Sequence, residues 1–154
     1  MDRSGDKAGD QTARRRWLGV LAKAAPAALE QAFDALESKP NYRFLRAPAA
    51  GAAMVRGRAG GRGQPFNLGE ITVARCTVVL DETLIGVGYV KGRNLRHAEL
   101  TAVFDALLQD AARAPAIERG VIQPLEAAHH AERKQRQAES AATRVNFFTM
   151  VRGS

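Results

Sequence analysis

Apolar residues recur at helical spacing most clearly late in the chain. Leu100, Val103, Phe104, Leu107, Leu108 and Ala111 follow i, i+3, i+4, i+7, i+8, i+11, which puts them on one face of an α-helix packed against a core. Gly92 breaks the extended run before it. Asn94 is a candidate N-cap, because its side-chain oxygen can accept from a free amide of the first turn. Further upstream, Trp17, Leu18 and Leu21 give an apolar side to a helix from about Thr12 to Ala24. Leu29, Phe33 and Leu36 do the same for a second helix over about 26–37, opened by Pro26. The pattern then changes to strands: 42–47, a turn at Pro48-Ala49-Ala50-Gly51, 54–58, a glycine-rich connection over 59–65, a long run from Glu70 to Leu80, a turn at 81–83, and 84–90. Along the long run Ile71 and Val73 fall on one side, and Thr72, Ala74, Cys76, Val78 and Leu80 on the other. Gly86 and Gly88 in the next strand suggest close backbone approach or a bulge.

These elements predict an α+β fold. About four antiparallel strands form a meander packed with helices, preceded by a helical pair and followed by a long C-terminal helix. That last helix, 126–143, is polar all round and must be solvated, bridge, or lie along a partner. Residues 1–11 read as a disordered lead-in and 12–154 as a single domain. It ends in an apolar tail with Arg144, Val145, Phe147, Phe148, Met150 and Arg152. An apolar chain end must dock, on this domain's own sheet edge or on a partner.

Composition narrows the classes. The length of 154 residues is enough for one core. A single cysteine excludes an intramolecular disulfide, and also a four-cysteine zinc or iron–sulfur site within the chain. The start lacks the apolar segment of a secretory signal and no run reaches membrane-spanning length, so a cytoplasmic protein with no membrane partner is expected. The net charge of +7 calls for an acidic partner, nucleic acid or a phosphorylated substrate. Aromatic residues are only 6% of the chain, low for a protein that stacks bases, and no nucleic-acid motif is present, so nucleic acid is disfavoured.

Two stretches are candidate anion sites. Arg58, Gly60, Gly61, Arg62 and Gly63 combine free backbone amides with charge, although the segment lacks the Lys-Ser/Thr pair of a phosphate loop; a hairpin loop is the plainer reading. Arg93, Arg96 and His97 crowd a helix start where the dipole already favours anions. A carboxylate such as Glu99 or Asp105, a partner's acid or a substrate triphosphate would compensate them; solvated arginines and a packed histidine are the plainer reading. His129-His130 with Glu132 has no metal-ligand spacing. Cys76 sits mid-strand, where buried inert thiols are common. No catalytic constellation is legible and no metal site is expected.

Several blocks resemble one family. They are Arg14-x-Arg16-Trp17 with Val20-Leu21-Ala22; Gly60-Gly61-Arg62-Gly63 with Phe66 and Gly69; Gly92-Arg93 through His97-Ala98-Glu99 to Asp105-Ala106-Leu107; and the ending from Arg144 to Gly153. They are similar to PhnG, the small G subunit of the bacterial carbon–phosphorus lyase core complex, over roughly 12–153. The resemblance implies phosphonate catabolism alongside H, I and J subunits and the ATP-binding K and L proteins. It implies that this subunit is required when an alkylphosphonate is coupled to the ribose C1 of ATP with release of adenine, giving α-D-ribose 1-alkylphosphonate 5-triphosphate. ATP and alkylphosphonate are then substrates of the complex, with no cofactor bound by this chain alone. A non-catalytic or accessory role follows, the nucleosidase chemistry being more naturally placed on the I subunit. The rival from another class is a stand-alone basic nucleic-acid-binding or assembly protein.

Overall fold

The computed structural model describes the backbone of residues 4–142 and side chains from Asp10 onward. The element order is α1 (Ser4–Lys23), α2 (Pro26–Asp34), β1 (Tyr42–Arg58), β2 (Pro65–Leu80), β3 (Leu84–Lys91), α3 (Leu95–Leu108), α4 (Ala114–Ile117), a π-helical turn (Glu118–Ile122) and α5 (Gln123–Ala142). The backbone of α1 begins at Ser4, earlier than the expected start near Thr12. The tail residues Arg144, Val145, Phe147, Phe148, Met150 and Arg152 lie outside the described residues.

The sheet has three antiparallel strands in the order β1-β2-β3, not four. The expected turn at Pro48–Gly51 does not reverse the chain. One 17-residue strand runs straight through it, with register shifts between Phe44 and Arg46 and between Arg46 and Ala49. Pro48 is tolerated because β1 is an edge strand, where a missing N–H breaks no central ladder. Gly51 is not among the positive-φ glycines, so nothing there turns the backbone. β2 likewise starts at Pro65 and absorbs Asn67-Leu68-Gly69 through a bulge opposite Val55 and Arg56, with Gly69 at φ 153°. β1 and β2 therefore pair from Tyr42↔Leu80 to Arg58↔Pro65, whereas β3 reaches only Val73. Beyond that point the hairpin continues as a two-stranded ribbon.

The central element is α3. Eleven of its fourteen residues are buried, which exceeds the single stripe expected from the apolar spacing. It packs on the sheet and on α1, α2 and α4, so its polar side must also find partners indoors. Ala111 falls beyond its end and is exposed. On the sheet side the helix lies directly on β3 backbone: a Cβ built on Gly86 would stand 1.9 Å from the Ala102 carbonyl oxygen, and one on Gly88 1.9 Å from that of Ala98. The two glycines thus mark close approach rather than a bulge. Trp17 and Leu21 of α1, Leu29 of α2 and Ile117, Val121 and Ile122 close the other sides of the core. α5 leaves this core as a polar helix with no buried residue.

Candidate functional site at the start of the central helix

Gly92 takes φ 98°, a left-handed value that suits glycine. Its amide donates to the Thr72 carbonyl at 2.8 Å, which fixes the end of β3 to β2. Asn94 is the N-cap, with its side chain accepting from the His97 amide at 2.9 Å.

One of the charges at this helix start, Arg96, is compensated within the chain. The Arg96 guanidinium makes a two-point contact to Glu30, Nε at 3.0 Å and Nη2 at 2.9 Å, and Nη1 lies 3.0 Å from Glu99. It also sits 5.2 Å over the Phe33 ring. The bidentate geometry favours both charged forms: Glu30 holds the Arg96 guanidinium protonated more firmly, and Arg96 holds the Glu30 carboxyl below its usual range. The Tyr42 hydroxyl donates to Glu99 at 2.5 Å. Burial, reinforced by that hydrogen bond, pushes the phenol up to about 12. His97 is buried and its Nε2 lies 2.9 Å from the Leu21 carbonyl. A carbonyl only accepts, so Nε2 carries the hydrogen and the ring ties α3 to α1. Arg93 is exposed and has no ion pair among the described residues.

One turn and a half further along, Asp105 is fully buried. It accepts from Arg14 Nε at 3.1 Å and Nη2 at 2.7 Å, from Trp17 Nε1 at 2.9 Å and from the Val87 amide at 2.9 Å. Arg16, two residues from Arg14, faces away and pairs with Glu118 at 2.7 Å and Glu126 at 2.6 Å. Cys76 is buried, its thiol pushed up to about 11 by desolvation, with Sγ 3.6 Å from the Arg46 carbonyl.

The glycine segment is elsewhere. Gly60 and Gly61 take φ 59° and 76° in the tight turn at the tip of the ribbon. The Gly63 amide donates to the Ala59 carbonyl at 2.9 Å, and Arg58 Nη1 is 3.5 Å from the Gly63 carbonyl. Arg62 is exposed. Along β2, Pro65 is seven residues from Thr72, about 24 Å at strand spacing. The fold therefore keeps Arg58, Gly60, Gly61, Arg62 and Gly63 apart from Arg93, Arg96, His97 and Glu99. An open cavity of about 700 Å³ lies between the end of α2 and α4, lined by Leu36, Lys39, Asp81, Arg113 and Val121 among others, and includes neither group. No group of three or more His, Cys, Asp or Glu side chains is placed to hold a metal among the described residues.

The geometry thus joins two sequence blocks that lie far apart in the chain, 14–22 and 92–107, through Asp105 and His97. A family model described as "Phosphonate metabolism protein PhnG" matches residues 12–153. The chain belongs to the PhnG family. It is 45% identical over 140 residues to a protein of Rhizobium meliloti (strain 1021) named "Alpha-D-ribose 1-methylphosphonate 5-triphosphate synthase subunit PhnG", covering 91% of this chain and 89% of that one. Stand-alone nucleic-acid binding finds no support in these comparisons. Two of the blocks that carry the PhnG likeness help hold the fold together, with Arg14, Trp17, His97, Glu99 and Asp105 all bonded to partners in this chain, whereas the block over 60–63 lies largely exposed at the ribbon tip. Glu30 and Tyr42 escape sequence reasoning because they lie in a different helix and an edge strand. Only the surplus of positive charge at the start of α3 signals that acids must be near. No helix among the described residues is long and apolar enough to cross a membrane.

Proposed function

We propose that this chain is a non-catalytic subunit of the synthase that couples an alkylphosphonate to the ribose C1 of ATP with release of adenine, in phosphonate catabolism. The observation that carries the reading is the 45% identity, over 91% of this chain, to a subunit of α-D-ribose 1-methylphosphonate 5-triphosphate synthase. The architecture supports it. The titratable side chains gathered around α3 are engaged in holding the helix, and two parts of the chain, the ribbon and α5, extend away from the core with exposed surfaces. The H, I and J subunits are the proposed partners, with the K and L proteins acting in the same pathway. ATP and alkylphosphonate are substrates of the assembly, and this chain binds no cofactor alone. The compartment is the cytoplasm.

Reconstitution tests the reading. The assembled subunits should release adenine from ATP in the presence of methylphosphonate, and omission of this chain should abolish release. The purified chain alone should release none. Full turnover by the remaining subunits without it, or turnover by the isolated chain, overturns the proposal.

A further inference from the structure

One face of the sheet packs on α3; on the other, Val73 and Val79 are buried while Ile71, Ile85 and Tyr89 around them are exposed. Register places Ala74, Cys76, Val78, Leu80 and Val90 toward α3. The opposite face carries Val79 beside Ile85, Arg75 between Ala49 and Tyr89, Val73 between Gly51 and Lys91, and Ile71 beside Ala53. It continues onto the ribbon. There Phe66 pairs with Gly57, and a Cβ on Gly57 would stand 2.6 Å from Leu68 and 3.9 Å from the Phe66 ring, so both side chains lie on that same face. Tyr89 is 55% exposed, Leu68 64%, Ile85 48% and Phe66 46%. From Val79 to Phe66 this surface runs about 43 Å along β2 at strand spacing. A two-stranded ribbon is marginal in water by itself, and a partly exposed apolar strip of this length marks an interaction surface.

Charge selects what covers it. Arg75 sits in the middle of the strip, its guanidinium beside Gly51. Its Nε is buried without a hydrogen-bond partner, and it makes no ion pair among the described residues. Arg43, Arg46 and Lys91 share the face by register; Arg43 meets only the exposed Glu82, at 3.6 Å. A buried donor on arginine is costly until an acceptor arrives. A second copy docked by a two-fold axis would bring like surfaces, and like charges, together. The chain's own segment 143–154 contains two arginines and no Asp or Glu side chain, so its side chains offer no carboxylate. Tyr89 and Phe66 are separated along the strip by aliphatic side chains such as Ile71 and Leu68, a mixture that suits an apolar protein surface better than a run of stacked bases.

We propose that the sheet face opposite α3, continued along the β1–β2 ribbon, docks another protein subunit whose apolar surface presents a carboxylate to Arg75. This rests on the subunit reading above. The test is co-expression of the full chain with the other subunits of the synthase, comparing wild type with Tyr89→Glu, Ile71→Glu and Arg75→Glu, each first checked for a wild-type circular dichroism spectrum and melting temperature. Met54→Glu is the control, since Met54 pairs with Glu70 on the other side of the ribbon. Recovery of the three face variants with the complex should drop roughly tenfold or more, the scale of a buried hot spot, while Met54→Glu is retained. Face variants recovered at wild-type stoichiometry overturn the docking surface. So does a wild-type homodimer that the face variants dissociate, or hydrogen exchange on β2 that rises when residues 143–154 are removed from the isolated chain. A wild-type chain that never joins the complex instead overturns the subunit reading itself.

Discussion

The carboxylate of Asp105 meets the guanidinium of Arg14 at 2.7 Å across 91 positions of sequence. Arg14 remains 35% exposed while Asp105 is 0% exposed, so the acid depends on its partners and the base does not. Trp17 Nε1 and the Val87 amide complete the shell, which joins α1, α3 and β3 at one oxygen pair. Removing one partner of a buried pair leaves an uncompensated charge or empties a polar cavity, typically costing about 3–5 kcal/mol. Asp105→Ala should lower unfolding free energy by about that much in a urea titration. Arg14→Ala should cost a comparable amount, because it leaves the fully buried carboxylate with only two neutral donors, Trp17 Nε1 and the Val87 amide. Equal and small losses in both would mean that the cluster adds little.

Gly86 and Gly88 set a steric limit. A methyl at either meets a helix carbonyl at 1.9 Å, and backbone cannot swing aside as a side chain can. Gly86→Ala and Gly88→Ala should each destabilise by at least about 1–3 kcal/mol, the usual range for overpacking. Gly120 lies in the π-helical turn with nothing within 4 Å of a built Cβ. Gly120→Ala should therefore stabilise by about 0.5–1 kcal/mol through the unfolded chain's entropy. Thermal melts of the three variants decide the matter.

Alkaline stability follows from Tyr42 and Cys76. The fold raises the phenol from 10.0 to about 12 and the thiol from 9.0 to about 11. The folded protein thus holds both protons more tightly than the unfolded chain does. Their contributions are complete below the unfolded values and are lost as pH rises through about 9–12. Stability should fall across that window. Tyr42→Phe should flatten the upper part of the fall, between about 10 and 12. Denaturation midpoints at several alkaline pH values check this, and a slope unchanged by Tyr42→Phe would refute it.

Arg16 fastens the base of α5 through Glu118 and Glu126. All three side chains are partly exposed, so the pairs add little to global stability. Arg16→Ala should leave the melting temperature nearly unchanged yet speed hydrogen exchange at the start of α5. High salt should mimic the substitution, since screening weakens such pairs.

The α+β class, both N-terminal helices, α3 with its Asn94 cap, and the inward face of β2 were legible because each depends on local periodicity. The sheet was misjudged at Pro48, which reads as a turn signal in isolation. Whether a proline breaks a strand depends on whether that strand is an edge, and edges are a property of the assembled sheet. α3 looked one-sided because Thr101 and Asp105 are polar. Asp105 is buried only through partners supplied by α1 and β3, at distances no local pattern encodes, while the Thr101 hydroxyl is buried without a hydrogen-bond partner among the described residues. The anion candidates fared alike. Arg96 and its i+3 neighbour Glu99 are legible on one helix, while the second acid, Glu30, 66 residues away, emerges only once α2 lies against α3.

A helix walled in on every side has a consequence for how the chain is made. Trp17 leaves the ribosome long before Asp105, 88 residues later, which at ordinary synthesis speeds is roughly 4–18 s. Throughout that interval the apolar side of α1 has no sheet or central helix to meet. The core closes only when Val121 and Ile122 have emerged, so until then the first helix is the segment a nascent-chain chaperone would find uncovered.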